Sequence, residues 1–221
     1  MEDLTDNELE EQLRRWWGEN WLWIVGGIAL GLGLLAGWQY WQRHRFVSAE
    51  RDAADYVAIV EALGRNDRDL AVAKAGELRE RRPGSAYADQ ADLALARAAV
   101  DRRDFDDAAQ RLGRVADGSK DPELRAVART RLARVYLEQG KPDAAIALLD
   151  PKDAGAFAAR YREIRGDAFQ AKGDATSARA EYDAVLADAA ASQGIDREFV
   201  ELKRAALPAA SPAAAPGAAG K

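Results

Sequence analysis

The chain of 221 residues has no cysteine and a single histidine. Without a thiol there is no disulfide framework, no Cys-ligated zinc, no thiol nucleophile and no lipoprotein anchor. The one histidine, His44, excludes two-His metal motifs and leaves little acid–base machinery that titrates near neutrality. The nucleotide, metalloprotease and hydrolase signatures GxxxxGKS/T, GxGxxG, HExxH and GxSxG are missing as well. These absences argue against an enzyme and against any bound cofactor or metal. A basic excess is also lacking. The formal net charge is -5; residues 1–42 hold seven acids and two bases, and the remainder carries 30 of each sign. Phosphate binding needs positive charge concentrated somewhere, so nucleic acid is not an expected partner.

Charge is absent altogether from Asn20 to Gln42. At about 1.5 Å per helical residue this run covers roughly 34 Å, enough to cross a hydrocarbon core about 30 Å thick. All six tryptophans bracket it: Trp16, Trp17, Trp21 and Trp23 at one end, Trp38 and Trp41 with Tyr40 at the other. Indole rings favour the headgroup level, so the pattern predicts one transmembrane helix. An acidic leader and the WQYWQR ending do not fit a cleaved signal peptide. Within the span Gly26, Ala29, Gly33, Ala36 and Gly37 share one helical stripe. Small residues let helix backbones approach in lipid, so the stripe fits a partner helix; it equally fits the general glycine richness of membrane helices. Orientation is not fixed by charge. Arg14 and Arg15 stand before the span, and Arg43, Arg45 and Arg51 after it.

Ahead of the span, Thr5 and Glu8 have capping-box spacing, and Leu9, Leu13, Trp16 and Trp17 follow at helical intervals. Residues 1–19 therefore read as a short acidic amphipathic segment, better suited to protein contact than to anionic lipid. His44, flanked by Arg43 and Arg45, reads as a juxtamembrane interface residue.

Beyond Arg43 the chain is rich in Ala, Leu, Arg and Glu, and breaks fall at Gly/Asn/Asp/Pro clusters. The spacing predicts helices over 47–63, 68–81, 85–101, 105–116, 122–139, 142–150, 155–172 and 175–191, with a short closing helix from Ile195 to Arg204. Tyr136, Gly140, Ala145 and Leu149 recur as Phe169, Gly173, Ala178 and Tyr182. Leu95-Ala96, Phe105, Ala108 and Leu112 repeat the internal spacing of Leu132-Ala133, Pro142, Ala145 and Leu149. This layout resembles the tetratricopeptide repeat, in which paired helices A and B stack into a solenoid. The expected fold is all-α: one N-terminal transmembrane helix, then a tetratricopeptide-repeat-like α-solenoid. Its divisions are 1–19, 20–42, 43–204 and an Ala/Pro-rich tail, 205–221, too poor in large apolar side chains to bury a core. The pair at about 47–81 matches the motif poorly, as an end repeat does.

Helix A positions outside the motif would line a groove: Gln90, Leu93, Arg97 and Val100; Val127, Thr130, Arg134 and Leu137; Arg160, Glu163, Asp167 and Gln170. Their mixed character suits reversible contact with an extended peptide or a partner's loop. The carboxylate-rich stretch from Asp101 to Asp107 lacks the spacing of a calcium loop and reads as a solvated turn with an N-cap.

The acidic leader, the glycine-rich span closing in GWQYWQ, and the segments YADQADLALARAAVDRRDFDDAAQRL and RLARVYLEQGKPDAAIALLD together resemble the YfgM-like ancillary subunit of the SecYEG translocon. The resemblance covers residues 8–204. It implies a bacterial inner-membrane protein with a cytoplasmic N-terminus and a periplasmic repeat domain. Its implied partners are SecYEG, a PpiD-type membrane-anchored chaperone and translocated polypeptides, and it supplies no catalytic residues. The longer, tryptophan-rich leader and the extra tail depart from that pattern. The rival expectation is a cytoplasm-facing membrane scaffold, which the Arg balance favours slightly.

Overall fold

A computed structural model of the chain describes residues 6–188 and 194–208, with side chains throughout except at residues 6–9 and 44–47. Thr5, the His44 side chain and the tail beyond Pro208 lie outside these. The chain divides into two units, Met1–Arg51 and Asp52–Lys221. The elements are α1 (Asp6–Gly64), α2 (Arg68–Arg81), α3 (Ala86–Asp101), α4 (Phe105–Gly118), α5 (Pro122–Glu138), α6 (Pro142–Leu148), α7 (Ala158–Ala171), α8 (Ala175–Ala187) and α9 (Arg197–Ala205). Two short 3-10 turns, Pro151–Asp153 and Gly155–Phe157, join α6 to α7. Thus α7 begins at Ala158, three residues later than its spacing predicts.

The leader, span and first body helix, three elements by sequence, form the single helix α1. No proline falls anywhere in it, and no glycine between Trp38 and its end at Gly64, so nothing stops the hydrogen-bond ladder there. In the first unit its apolar side chains have no protein cover: Trp23 is 82% exposed, Leu30 and Leu34 68% each. Exposure of that kind over one apolar turn after another fits lipid rather than water. It is the one helix among the described residues long and apolar enough to cross a membrane. The rings of Trp38 and Trp41 lie 5.5 Å apart at the end of the uncharged run. A side chain added at Gly26, Gly33 or Gly37 would meet no neighbouring atom.

In the second unit the helices pair as α1/α2, α3/α4, α5/α6 and α7/α8, with α9 closing the stack. The same turn joins each pair. Asn66, Arg103, Gly140 and Gly173 stand at φ +60, +61, +70 and +80°, in the left-handed region. Each following N–H returns to helix A: Asp67 to Ala62 O, Asp104 to Ala99 O, Lys141 to Tyr136 O and Asp174 to Phe169 O, all at 2.8–2.9 Å. Asp67, Asp104 and Asp174 then cap the next helix through their carboxylates. The first pair, a poor match by sequence, is therefore a full repeat by geometry. Its signal is hidden because asparagine replaces glycine at the left-handed position and small or aliphatic residues replace the aromatics.

Packing follows the same register. Ala71, Ala108, Ala145 and Ala178 are each fully buried where helices A and B meet. One turn further along, equivalent positions on helices A and B trade sizes. The pairs are Ile59 with Ala75, Ala96 with Leu112 and Ala133 with Leu149, each sharing one core cluster, and Gly166 with Tyr182, which touch directly. A large side chain on one helix is met by a small one on the other, so the layers keep native density without displacing a backbone. Gly166 is the extreme case: a Cβ there would sit 2.7 Å from Tyr182 Cδ1 and 2.9 Å from Cζ.

Charge is buried between layers only where it is paired. Asp92 on α3, 3% exposed, accepts from Arg79 of α2 and from Arg114 of α4 at 3.1 Å, with Arg111 at 3.5 Å. Glu181 on α8 accepts from Arg165 on α7 at 2.7 Å. Among the described residues no buried polar side-chain atom lacks a partner, as a desolvated charge requires.

Gly166→Ala should lower stability by roughly 1–3 kcal/mol through overpacking. Combining it with Tyr182→Leu, which recreates the Ala/Leu pair of the two preceding repeats, should cost less than the two single changes added together. Urea unfolding of the full chain in detergent, followed by circular dichroism, measures both.

Candidate functional site

The face built by the first helix of each pair is where the sequence places its groove, and the repeat register sorts the twelve residues into four sets. Leu93, Thr130 and Glu163 are one set, and all three are buried, at 7, 7 and 3% exposure. This corrects the expectation that they line an open groove. Leu93 joins the core of the second and third repeats. The Thr130 hydroxyl donates to Val127 O at 2.7 Å. Glu163 accepts from Arg160 at 2.5 Å and from Lys203 of α9 at 2.9 Å. The physical reason is stacking: each helix A packs on the preceding one, and this position faces the neighbour.

The α7 group is taken up by contacts at the closing end of the stack. Lys203 Nζ donates to Asp167 at 2.8 Å, and the Tyr182 hydroxyl donates to Asp167 at 2.7 Å and to Gln170 Oε1 at 3.2 Å. Arg160 also donates to the Gly194 carbonyl. Burial, reinforced by the neighbouring Asp167 and Glu163 charges, pushes the Tyr182 phenol up and holds it protonated. Glu163 and Asp167 thus bind α9, an element the sequence does anticipate but whose seat it does not reveal, while Gln170 is held by Tyr182 of α8 and Arg160 by Glu163 and the segment before α9.

Gln90, Val127 and Leu137 are half-buried on α3 and α5. Arg97, Val100 and Arg134 instead come together at a cleft of about 470 Å³ between the second and third repeats. Ala96, Val100, Phe105, Leu112 and Val135 make its apolar wall, while Arg97, Arg103, Arg131, Arg134 and Glu138 supply the charge. Arg103, Arg131 and Glu138 are additions that helix A spacing alone does not select. Arg103 belongs to the turn after α3, and its sequence signal is a long basic side chain where the two following repeats have glycine. No group of three or more His, Asp or Glu side chains is placed to hold a metal among the described residues. The arrangement provides contact surface and charge rather than a nucleophile beside a base.

Stacked helix pairs, preceded in the chain by an exposed helix long and apolar enough to cross a membrane, define a helical-repeat scaffold. A family model described as a tetratricopeptide repeat-like domain matches residues 14–209. The ancillary SecYEG translocon subunit of Escherichia coli is 32% identical over 180 residues, 81% of this chain and 86% of that one. Its counterpart in Haemophilus influenzae is 30% identical over 78% of this chain and 84% of its own length. That of Neisseria gonorrhoeae is 31% identical over 90 and 96%. The chain belongs to this family of ancillary SecYEG translocon subunits, with a tetratricopeptide repeat-like domain, and it is an adaptor-type protein rather than an enzyme.

Two outcomes follow from this geometry. A phenol whose pKa is raised by folding stabilises fully below its unfolded value near about 10, and that contribution is lost as pH rises further. The advantage of the native chain over Tyr182→Phe, about 1 kcal/mol at neutral pH, should therefore narrow above about pH 10 in urea titrations run across the alkaline range. Separately, Arg103→Gly should raise stability by roughly 0.5–1 kcal/mol, because glycine takes the left-handed turn without the Cβ clash. Asn66→Gly should gain less, asparagine being tolerant of that region. Unfolding midpoints of the two variants make the comparison.

Proposed function

We propose that this chain is a non-enzymatic accessory subunit of the SecYEG translocon in a bacterial inner membrane. Residues 20–42 anchor it, with residues 1–19 on the cytoplasmic side and the repeat domain, residues 43–204, in the periplasm. There the face formed by the first helix of each pair engages a PpiD-type membrane-anchored chaperone and helps pass translocated polypeptides to periplasmic folding factors. The groove positions that stay exposed or half-buried, Gln90, Arg97, Val100, Val127, Arg134 and Leu137, are the contact residues of this reading. The stripe Gly26, Ala29, Gly33, Ala36 and Gly37 is its helix-packing surface in lipid, where close backbone approach supplies dispersion contacts.

The observation that carries the proposal is the similarity to the translocon subunits named above, which extends over 81% of this chain in the Escherichia coli case, together with the family model's match over residues 14–209, which takes in the apolar run. The mixed apolar and charged character of the groove positions supports a surface for reversible binding, the charges steering encounter and the apolar residues supplying contact. The alternative, a scaffold whose repeats face the cytoplasm, is favoured by three arginines after the span against two before it. A domain of this length translocates largely regardless of that balance.

Protease added to spheroplasts should digest the repeat domain while a cytoplasmic marker stays protected. Protection of the repeats until detergent is added would place them in the cytoplasm and leave the scaffold reading standing. Purification of the full chain in mild detergent should bring the translocon and the membrane chaperone with it; absence of both would defeat the proposal.

A further inference from the structure

The arginines of the second unit are, for the most part, matched. Arg79, Arg111 and Arg114 converge on Asp92, Arg162 and Arg165 on Glu181, and Arg204 on Asp183. The cleft between the second and third repeats breaks that rule. Arg97 there has Asp101 at 3.8 Å in an exposed pair. Arg103, Arg131 and Arg134 have no hydrogen-bond or ion-pair partner among the described residues, and all three are exposed at the cleft. Arg131 and Arg134 stand three apart on α5, a spacing at which like charges repel by a few tenths of a kcal/mol. Arg103 is held at φ +61°, where the equivalent residues of the next two repeats are glycine. Glu138 is the one carboxylate lining the cleft, against four arginines, so a neutral body, 30 acids against 30 bases, has gathered a net positive charge at one place.

Beneath these guanidiniums the wall is apolar: Val100, Phe105 and Val135 border the same space of about 470 Å³. An inorganic anion would leave that wall empty, and an apolar segment would leave the arginines unpaired. The volume suits one side chain with its adjoining backbone, not the paired acyl chains of a phospholipid. Charge and shape together select a protein segment in which carboxylates flank an apolar residue.

We propose that this cleft is the docking site for an acidic segment of a partner protein, with one apolar side chain lodged between Val100 and Val135 and neighbouring carboxylates paired with Arg103, Arg131 and Arg134. The inference rests on the adaptor reading above and gives it a partner chemistry. Guanidinium–carboxylate pairing at a rim sets encounter rate and specificity, while the apolar residue slows release.

The test uses the full chain in phosphatidylcholine nanodiscs and a fluorescein-labelled nonapeptide of Asp and Glu around one central Phe, read by anisotropy. Binding should weaken with salt. It should fall by about tenfold or more for the Asn/Gln counterpart of the peptide and for the double variant Arg131→Glu/Arg134→Glu. Replacing the central Phe by Gly should cost several-fold, and so should Arg103→Gly, which relaxes its turn and so keeps the fold intact. Arg65→Glu, an exposed charge reversal outside the cleft, should leave binding unchanged. Equal binding of the neutral peptide, or unchanged binding by the double variant, would overturn the proposal. So would displacement of the peptide by phosphatidylglycerol vesicles but not by phosphatidylcholine vesicles, which would assign the cleft to a lipid headgroup. Translocon co-purification with no peptide binding refutes the cleft assignment alone, whereas failure of that co-purification removes the adaptor reading itself.

Discussion

An alanine that recurs four times, fully buried in each helix pair, sets the spacing on which the rest of the domain depends. Ala71, Ala108, Ala145 and Ala178 have no exposed surface, and a larger side chain at any of them would push the helices apart. With that spacing fixed, the neighbouring contact has a fixed volume to fill, and the four repeats fill it differently: Ile with Ala, Ala with Leu twice, Gly with Tyr. What is held constant is the sum of the two side chains rather than either identity. This explains how repeats can look unlike one another in sequence while stacking with one geometry.

The turn obeys the same logic. Each pair reverses through one left-handed residue whose successor returns a hydrogen bond to helix A. Two repeats use glycine, one asparagine and one arginine. The arginine pays a conformational cost and stands at the mouth of the cleft, so local strain and local chemistry coincide there. Aspartates after the left-handed residue cap the next helix in three of the four turns; in the fourth Lys141 precedes Pro142, which needs no capped N–H.

At the far end α9 does what a further repeat would have done. Lys203 reaches Glu163 and Asp167, and Tyr182 completes that network with its hydroxyl. Glu163 and Asp167 of α7 are consequently spent on closing the stack, and the surface proposed for partners lies on α3 and α5. An adaptor with a sealed end and an open middle presents one contact region rather than a uniform groove.

Most helix boundaries were legible from the sequence because they rest on local chemistry: apolar periodicity, glycine and proline breaks, and aspartate caps. The apolar span was legible for the same reason, since 23 residues without a charge need no tertiary information to interpret. The repeat class could be read from Tyr136, Gly140 and Ala145 recurring as Phe169, Gly173 and Ala178. Less legible were features defined by two segments at once. Leu93, Thr130 and Glu163 differ in chemistry, so only stacking shows that one buried position holds them all. Ile59 and Ala75 disguised the first repeat because the motif had been inverted between its helices. Arg131 joined Arg103 across the cleft only once α5 lay beside the turn after α3. By itself the sequence determined the elements, the anchor and the repeat class, which are properties of contiguous residues. The tertiary structure decided which side chains are spent in packing and which are left over for a partner, because that depends on what the neighbouring layer has already filled.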